Sequence, residues 1–161
     1  MPQFKTRAVS VIAACVVAGG AAGAAQAATT SVTAAIKAQD KAVKSSAAFK
    51  SLKHVSAGTP AQAKALIPKY KALQVKLDHA ATVVSKASAT GAKQKQGQKD
   101  WVDGVRELAQ GIGMLDAALA DAVKGNKAAA KSALTKAQKE LVAGNNLGAK
   151  GDKLLGLPTS A

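Results

Sequence analysis

The sequence predicts an all-α protein, an up-down-up-down four-helix bundle carried behind an N-terminal export leader. Three observations support this. Ala, Lys, Leu and Gln are abundant in the 161 residues, and all four favour helix. Apolar residues recur three and four apart over two long stretches, which is a helix seam and not the period-2 alternation of a strand. Breaker clusters at Ser56-Ala57-Gly58-Thr59-Pro60, Ser88-Ala89-Thr90-Gly91-Ala92 and Gly125-Asn126 cut the region after the leader into four segments of similar length.

The leader comes first. Residues 1–27 begin with Lys5 and Arg7 and no acid, continue through an apolar run from Ala8 to Ala18, and leave on Ala25-Gln26-Ala27. A basic head, an apolar centre and an A-x-A exit form the pattern of a secretory signal peptide, with cleavage expected between Ala27 and Ala28. The centre is too short and too rich in Ala for a spanning helix, which needs roughly 20 strongly apolar residues. The expected location is therefore secreted or extracytoplasmic. Ile12-Ala13-Ala14-Cys15 resembles the lipobox of bacterial lipoproteins. That resemblance implies an alternative in which Cys15 is lipidated and holds the protein at a membrane. Cleavage after Ala27 leaves no cysteine, and so no disulfide or thiol chemistry.

Residues 28–155 form the expected helical domain, with helices over about 30–55, 59–88, 93–124 and 127–155. In segment one Val32, Ile36, Val43 and Ala47 make the stripe, Gln39 takes one of its positions, and Ala35, Ala42, Phe49 and Leu52 widen it. Segment two opens on Thr59-Pro60, an N-cap followed by proline at the first helical position. Its seam of Ala63, Leu66, Tyr70, Leu73, Leu77, Ala80, Val84 and Ala87 alternates three and four without a miss. Pro68 predicts a kink or a late helix start. Segment three repeats the pattern with Trp101, Val105, Leu108, Ile112, Leu115, Leu119 and Ala122. Segment four is weaker: Ala130, Leu134, Ala137 and Leu141 lead to Gly144, Gly148, Gly151 and Leu155. Asn145-Asn146 beside those glycines predicts a weakened or broken last helix, and the tail 156–161 is expected to fray. Short loops make neighbours antiparallel, hence the bundle. An elongated three-helix bundle or coiled coil is the rival, and sustained heptads also permit a homo-oligomer.

Glycines recur every seven residues at Gly97, Gly104 and Gly111, and a second set, Gly144, Gly148 and Gly151, sits on the seam of segment four. Each costs about 1 kcal/mol in a helix interior relative to Ala. Close helix approach would offset that cost. So would a groove in which a ligand meets bare backbone.

The charge is lopsided. Two of the 23 basic residues lie in the leader; the other 21 stand against nine acids and leave +12. Lys37, Lys41 and Lys44 share a face of segment one, Lys64 and Lys71 one of segment two, and Lys127 and Lys131 one of segment four. Segment three has an acidic middle in Asp100, Asp103, Glu107, Asp116 and Asp121. Those seven lysines are the candidate polyanion-binding residues, with an anionic cell-wall polymer or membrane surface as the expected partner. The plainer reading is a lysine face that keeps an exported protein in solution. Arg is nearly absent and aromatic platforms are missing, which argues against sequence-specific nucleic-acid reading.

No catalytic constellation is present in the sequence. His54 and His79 lie on different segments without ligand-spaced partners, and the Glu-x-x-His pairs of di-iron bundles do not occur. No catalytic residue, metal ligand or cofactor is therefore expected. Besides polyanion binding, the second function the sequence admits is a small-ligand carrier or chaperone-like bundle with a cavity between helices three and four.

Overall fold

The first three helices begin where a Ser or Thr side chain accepts from a free N–H of the first turn. The computed structural model describes residues 30–52 and 59–158. The leader, with Cys15 and the Ala27–Ala28 cleavage site, lies outside them, as do His54 and residues 159–161. The described chain is all-α, with five helices and no strand among the described residues.

Helix α1 spans Val32–Ser45, and its Ser31 cap accepts from the Ala34 N–H at 3.3 Å. A single helix over segment one is not what forms. Ser46 is extended at φ −63°, ψ 141°, and α2 follows at Ala47–Leu52. Ser46 serves both helices. Its hydroxyl donates to the Val43 carbonyl at 2.6 Å and accepts from the Phe49 N–H at 3.2 Å. After the break Phe49 and Leu52 turn inward and Ala47 is exposed; Ala42, before it, is exposed as well.

Helix α3 runs Pro60–Ser85 behind a capping box. Thr59 Oγ1 accepts from the Gln62 N–H at 3.2 Å, and Gln62 Oε1 accepts from the Thr59 N–H at 3.1 Å. The late start that Pro68 allowed does not occur: the helix continues through that residue, whose ring is exposed. The seam from Ala63 to Val84 is buried at every position.

Helix α4 covers Gly91–Val123, and α5 covers Lys127–Leu155. The expected break at Asn145-Asn146 is absent. Gly144, Gly148 and Gly151 are buried, and close packing against α4 holds the helix together where propensity alone would weaken it. The last helix has a defined end. Gly156 takes the left-handed conformation at φ 68°, and the Leu157 N–H reaches back to the Asp152 carbonyl at 2.9 Å. This is a Schellman ending, and Leu157 packs on the core.

Successive long elements are antiparallel, and each pair is pinned. The Ser88 N–H donates to the Thr30 carbonyl and the Val32 N–H to the Ser88 carbonyl, both at 3.0 Å, tying the start of α1 to the end of α3. Gln98 Nε2 donates to the Val84 and Ala87 carbonyls at 2.6 and 2.8 Å, tying α3 to α4. Gly97 lies against Leu155, Gly104 against Gly148, and Gly111 against Leu141. Thus α4 sits between α3 and α5, while α1 and α2 lie on α3, and α1 makes little backbone contact with α5. One core joins all five helices, with Leu73, Ile112, Leu141, Val32 and Val84 at its centre.

Candidate functional site

The lysines selected from the sequence divide into two groups. Lys37 and Lys41 on α1, Lys64 and Lys71 on α3, and Lys127 and Lys131 on α5 are exposed. Lys44 is partly buried, and its Nζ lies 3.4 Å from Asp40 Oδ2 one turn earlier. It is tied to a neighbouring carboxylate and is not one of the exposed set. Antiparallel packing gathers three members from two helices that are far apart in sequence. The start of α3, with Lys64, and the start of α5, with Lys127 and Lys131, lie toward the same end of the molecule, where Lys124 closes α4.

The acids behave differently, because most are drawn inward. Asp100 on α4 is only 4% exposed. Its Oδ1 accepts from Gln96 Nε2 at 2.7 Å, and Lys150 Nζ reaches across from α5 to within 3.0 Å of Oδ2. Asp103 accepts from Lys99 and lies 3.9 Å from Arg106. Burial raises the pKa of Asp116, and the nearby charge of Lys71 lowers it in part. Burial also raises Glu107, with Glu140 of α5 and Asp103 adding repulsion. The carboxylates are thus used between and beneath the helices, and most of the ammonium groups face water.

Two carboxylates were missed in reading the sequence. Asp40 of α1 and Asp152 of α5 are both partly buried. Burial pushes Asp40 up to about 6 despite Lys44, and burial together with the charge of Asp40 pushes Asp152 to about 7. The spacing held a clue to both. Asp40 sits four after Ile36 and three before Val43, and Asp152 four after Gly148 and three before Leu155, so each lies next to a seam position, those of Gln39 and Gly151. Asp100 likewise falls between Gly97 and Gly104 on the glycine stripe.

At the glycine stripe the opposing helix fills the space. A Cβ on Gly104 would come within 2.6 Å of the Gly148 nitrogen and 2.7 Å of the Gly144 carbonyl oxygen. One on Gly151 would meet the Trp101 nitrogen at 2.7 Å. Trp101 is buried there, at the Leu155 end of the α4–α5 pair, and Tyr70 is buried on the α3 seam with its hydroxyl pushed up by desolvation. His79 is exposed. Among the described residues no three His, Cys, Asp or Glu side chains are placed to hold a metal ion, and no helix is long and apolar enough to cross a membrane. Comparison with known protein families, with curated proteins and with solved structures gives no match.

Proposed function

We propose that this is an exported protein that binds an anionic polymer or surface of the cell envelope through its exposed lysines, without catalysis. Segregation of charge supports this reading. Asp40, Asp100 and Asp103 have cations within ion-pair distance, whereas Lys37, Lys41, Lys64, Lys71, Lys127 and Lys131 face water. Ammonium groups are strongly hydrated point charges, so association through them is diffuse and driven by counterion release rather than by shape. In this reading the helices close into an up-down-up-down four-helix bundle, with α1 and α2 together as its first member. Residues 1–27 are the signal peptide that delivers it, cleaved after Ala27; lipidation at Cys15 is the membrane-anchored alternative.

The test is a salt titration of binding to a polyphosphate-type polymer and to anionic vesicles. Affinity should fall steeply and log-linearly as salt rises. Replacing Lys64, Lys127 and Lys131 together with Gln should reduce both the affinity and the slope. Affinity absent at low salt, or unmoved by salt, would refute the reading. Intact mass and N-terminal sequence of the protein from its native host test the export step separately.

A further inference from the structure

Helix α3 carries a second apolar row besides its buried seam. Ala61, Ala65, Pro68, Ala72 and Val75 follow one another at intervals of four and three, so they share one side of the helix. All five are exposed, on the side opposite the seam from Ala63 to Val84. Val75 is 61% exposed, the most of any large apolar side chain among the described residues. At 3.6 residues per turn, Lys64 and Lys71 edge the row on one side, and Lys69 and Lys76 on the other. Lys64, Lys71 and Lys76 are exposed, and Lys69 is partly buried. The charge of Lys71 is felt by Asp116 of α4 as well.

What covers this row follows from its edges. A second copy meeting it face to face would set lysines against lysines. Nor does a second copy offer a matching acidic face elsewhere. Of the nine acids only Asp78 is exposed, and the other eight are buried or partly buried. A free polyanion chain would satisfy the lysines and leave Pro68 and Val75 in water. A bilayer with anionic headgroups answers both features. Its phosphates meet the ammonium groups, and the apolar row enters the interface while the lysine stems bend aside.

We propose that the outward face of α3 docks this protein on an anionic lipid surface, with Pro68 and Val75 at the headgroup boundary and Lys64, Lys71 and Lys76 on the lipid phosphates. The inference rests on the anionic-surface reading above, and names the lipid as the partner and α3 as the side that meets it.

Co-sedimentation of the protein, purified from its native host, tests it against three probes. These are vesicles of phosphatidylglycerol and phosphatidylcholine in equal parts, vesicles of phosphatidylcholine alone, and free polyphosphate as competitor. Anionic vesicles should bind it more tightly than neutral ones. Lys64→Gln, Lys71→Gln and Lys76→Gln together should weaken that binding about tenfold or more, since a lysine near such a surface contributes roughly fivefold. Lys127→Gln, Lys131→Gln and Lys139→Gln on α5 make the same change in net charge and should weaken it less than about threefold. Val75→Gln should weaken vesicle binding about threefold and leave competition by polyphosphate unchanged. Equal losses from the two triple variants would overturn the proposal and leave the anionic-surface reading standing, because binding would then follow net charge alone. Equal affinity for neutral vesicles, or a Val75→Gln variant that binds vesicles like the parent, would also overturn it. No affinity for vesicles or polyphosphate at low salt would sink the proposal and the reading together.

Discussion

Gly104 shows how little room one atom has in this molecule. A methyl group there meets backbone on α5, the Gly148 nitrogen and the Gly144 carbonyl oxygen, and neither can move without moving its helix. Gly113 has the same residue type on the same helix and a different setting. The atoms nearest its added methyl belong to the side-chain amide of Gln74, at 3.0–3.3 Å, and a Gln side chain can swing aside. Helix propensity rewards Gly→Ala at either position by about 1 kcal/mol. Forced overpacking costs about 1–3 kcal/mol where backbone must yield. The two terms therefore oppose each other at Gly104, and the clash wins. Gly104→Ala should lower unfolding stability by about 1–2 kcal/mol, and Gly113→Ala should leave it level or raise it by up to about 1 kcal/mol. Urea unfolding of the two variants beside the parent protein measures both. Equal effects would mean that the α4–α5 approach is looser than the distances indicate.

At the scale of the helix, the informative positions are those where local and tertiary rules conflict. The α3 and α4 seams were legible because apolar spacing and burial give the same answer from Ala63 to Val84 and from Trp101 to Leu115. The Thr59-Pro60 start was legible because its cap is local. The continuity of α5 was not legible. Gly144, Asn145 and Asn146 argue for a break by propensity, and only the approach of α4, unseen in a linear reading, reverses that. The exposed lysines were readable as a face, but the loss of Lys44 to Asp40 follows from burial of a residue that looked like ordinary surface. The division at Ser46 was equally hidden, since Ser45-Ser46 is tolerated in many helices. Ser46 ends α1 and caps α2 with one hydroxyl. Ser46→Ala removes an N-cap acceptor, a loss of about 1 kcal/mol. Ser46→Asn keeps an acceptor and should restore most of it. Chemical denaturation distinguishes them, and an Ala variant as stable as the parent would mean that the cap contributes nothing.

For the whole molecule, the acids set the pH dependence. Every carboxylate with a clear shift among the described residues is shifted the same way: Asp40, Glu107, Asp116 and Asp152 all hold their protons more tightly when folded. An acid raised on folding contributes stability that is fully present below its unfolded pKa and is lost as pH rises toward its folded value. For Asp40 the window runs from about 3.8 to about 6, and for Asp152 from about 3.8 to about 7. Glu107 and Asp116 add the same sign without a stated width. The opposing term is self-repulsion of a basic protein, which grows as carboxylates are neutralised. Salt near 0.15 M, with a Debye length of about 8 Å, screens most of that between exposed lysines and much less between partly buried acids. The acid term should therefore dominate, and the urea midpoint in 0.15 M salt should be higher at pH 5.5 than at pH 8, with most of the change falling between pH 5.5 and 7. Asp152→Asn should remove a large part of the difference by raising the pH 8 midpoint. A parent protein more stable at pH 8 than at pH 5.5 would show that ionised carboxylates stabilise this fold, which contradicts the desolvation of Asp40 and Asp152.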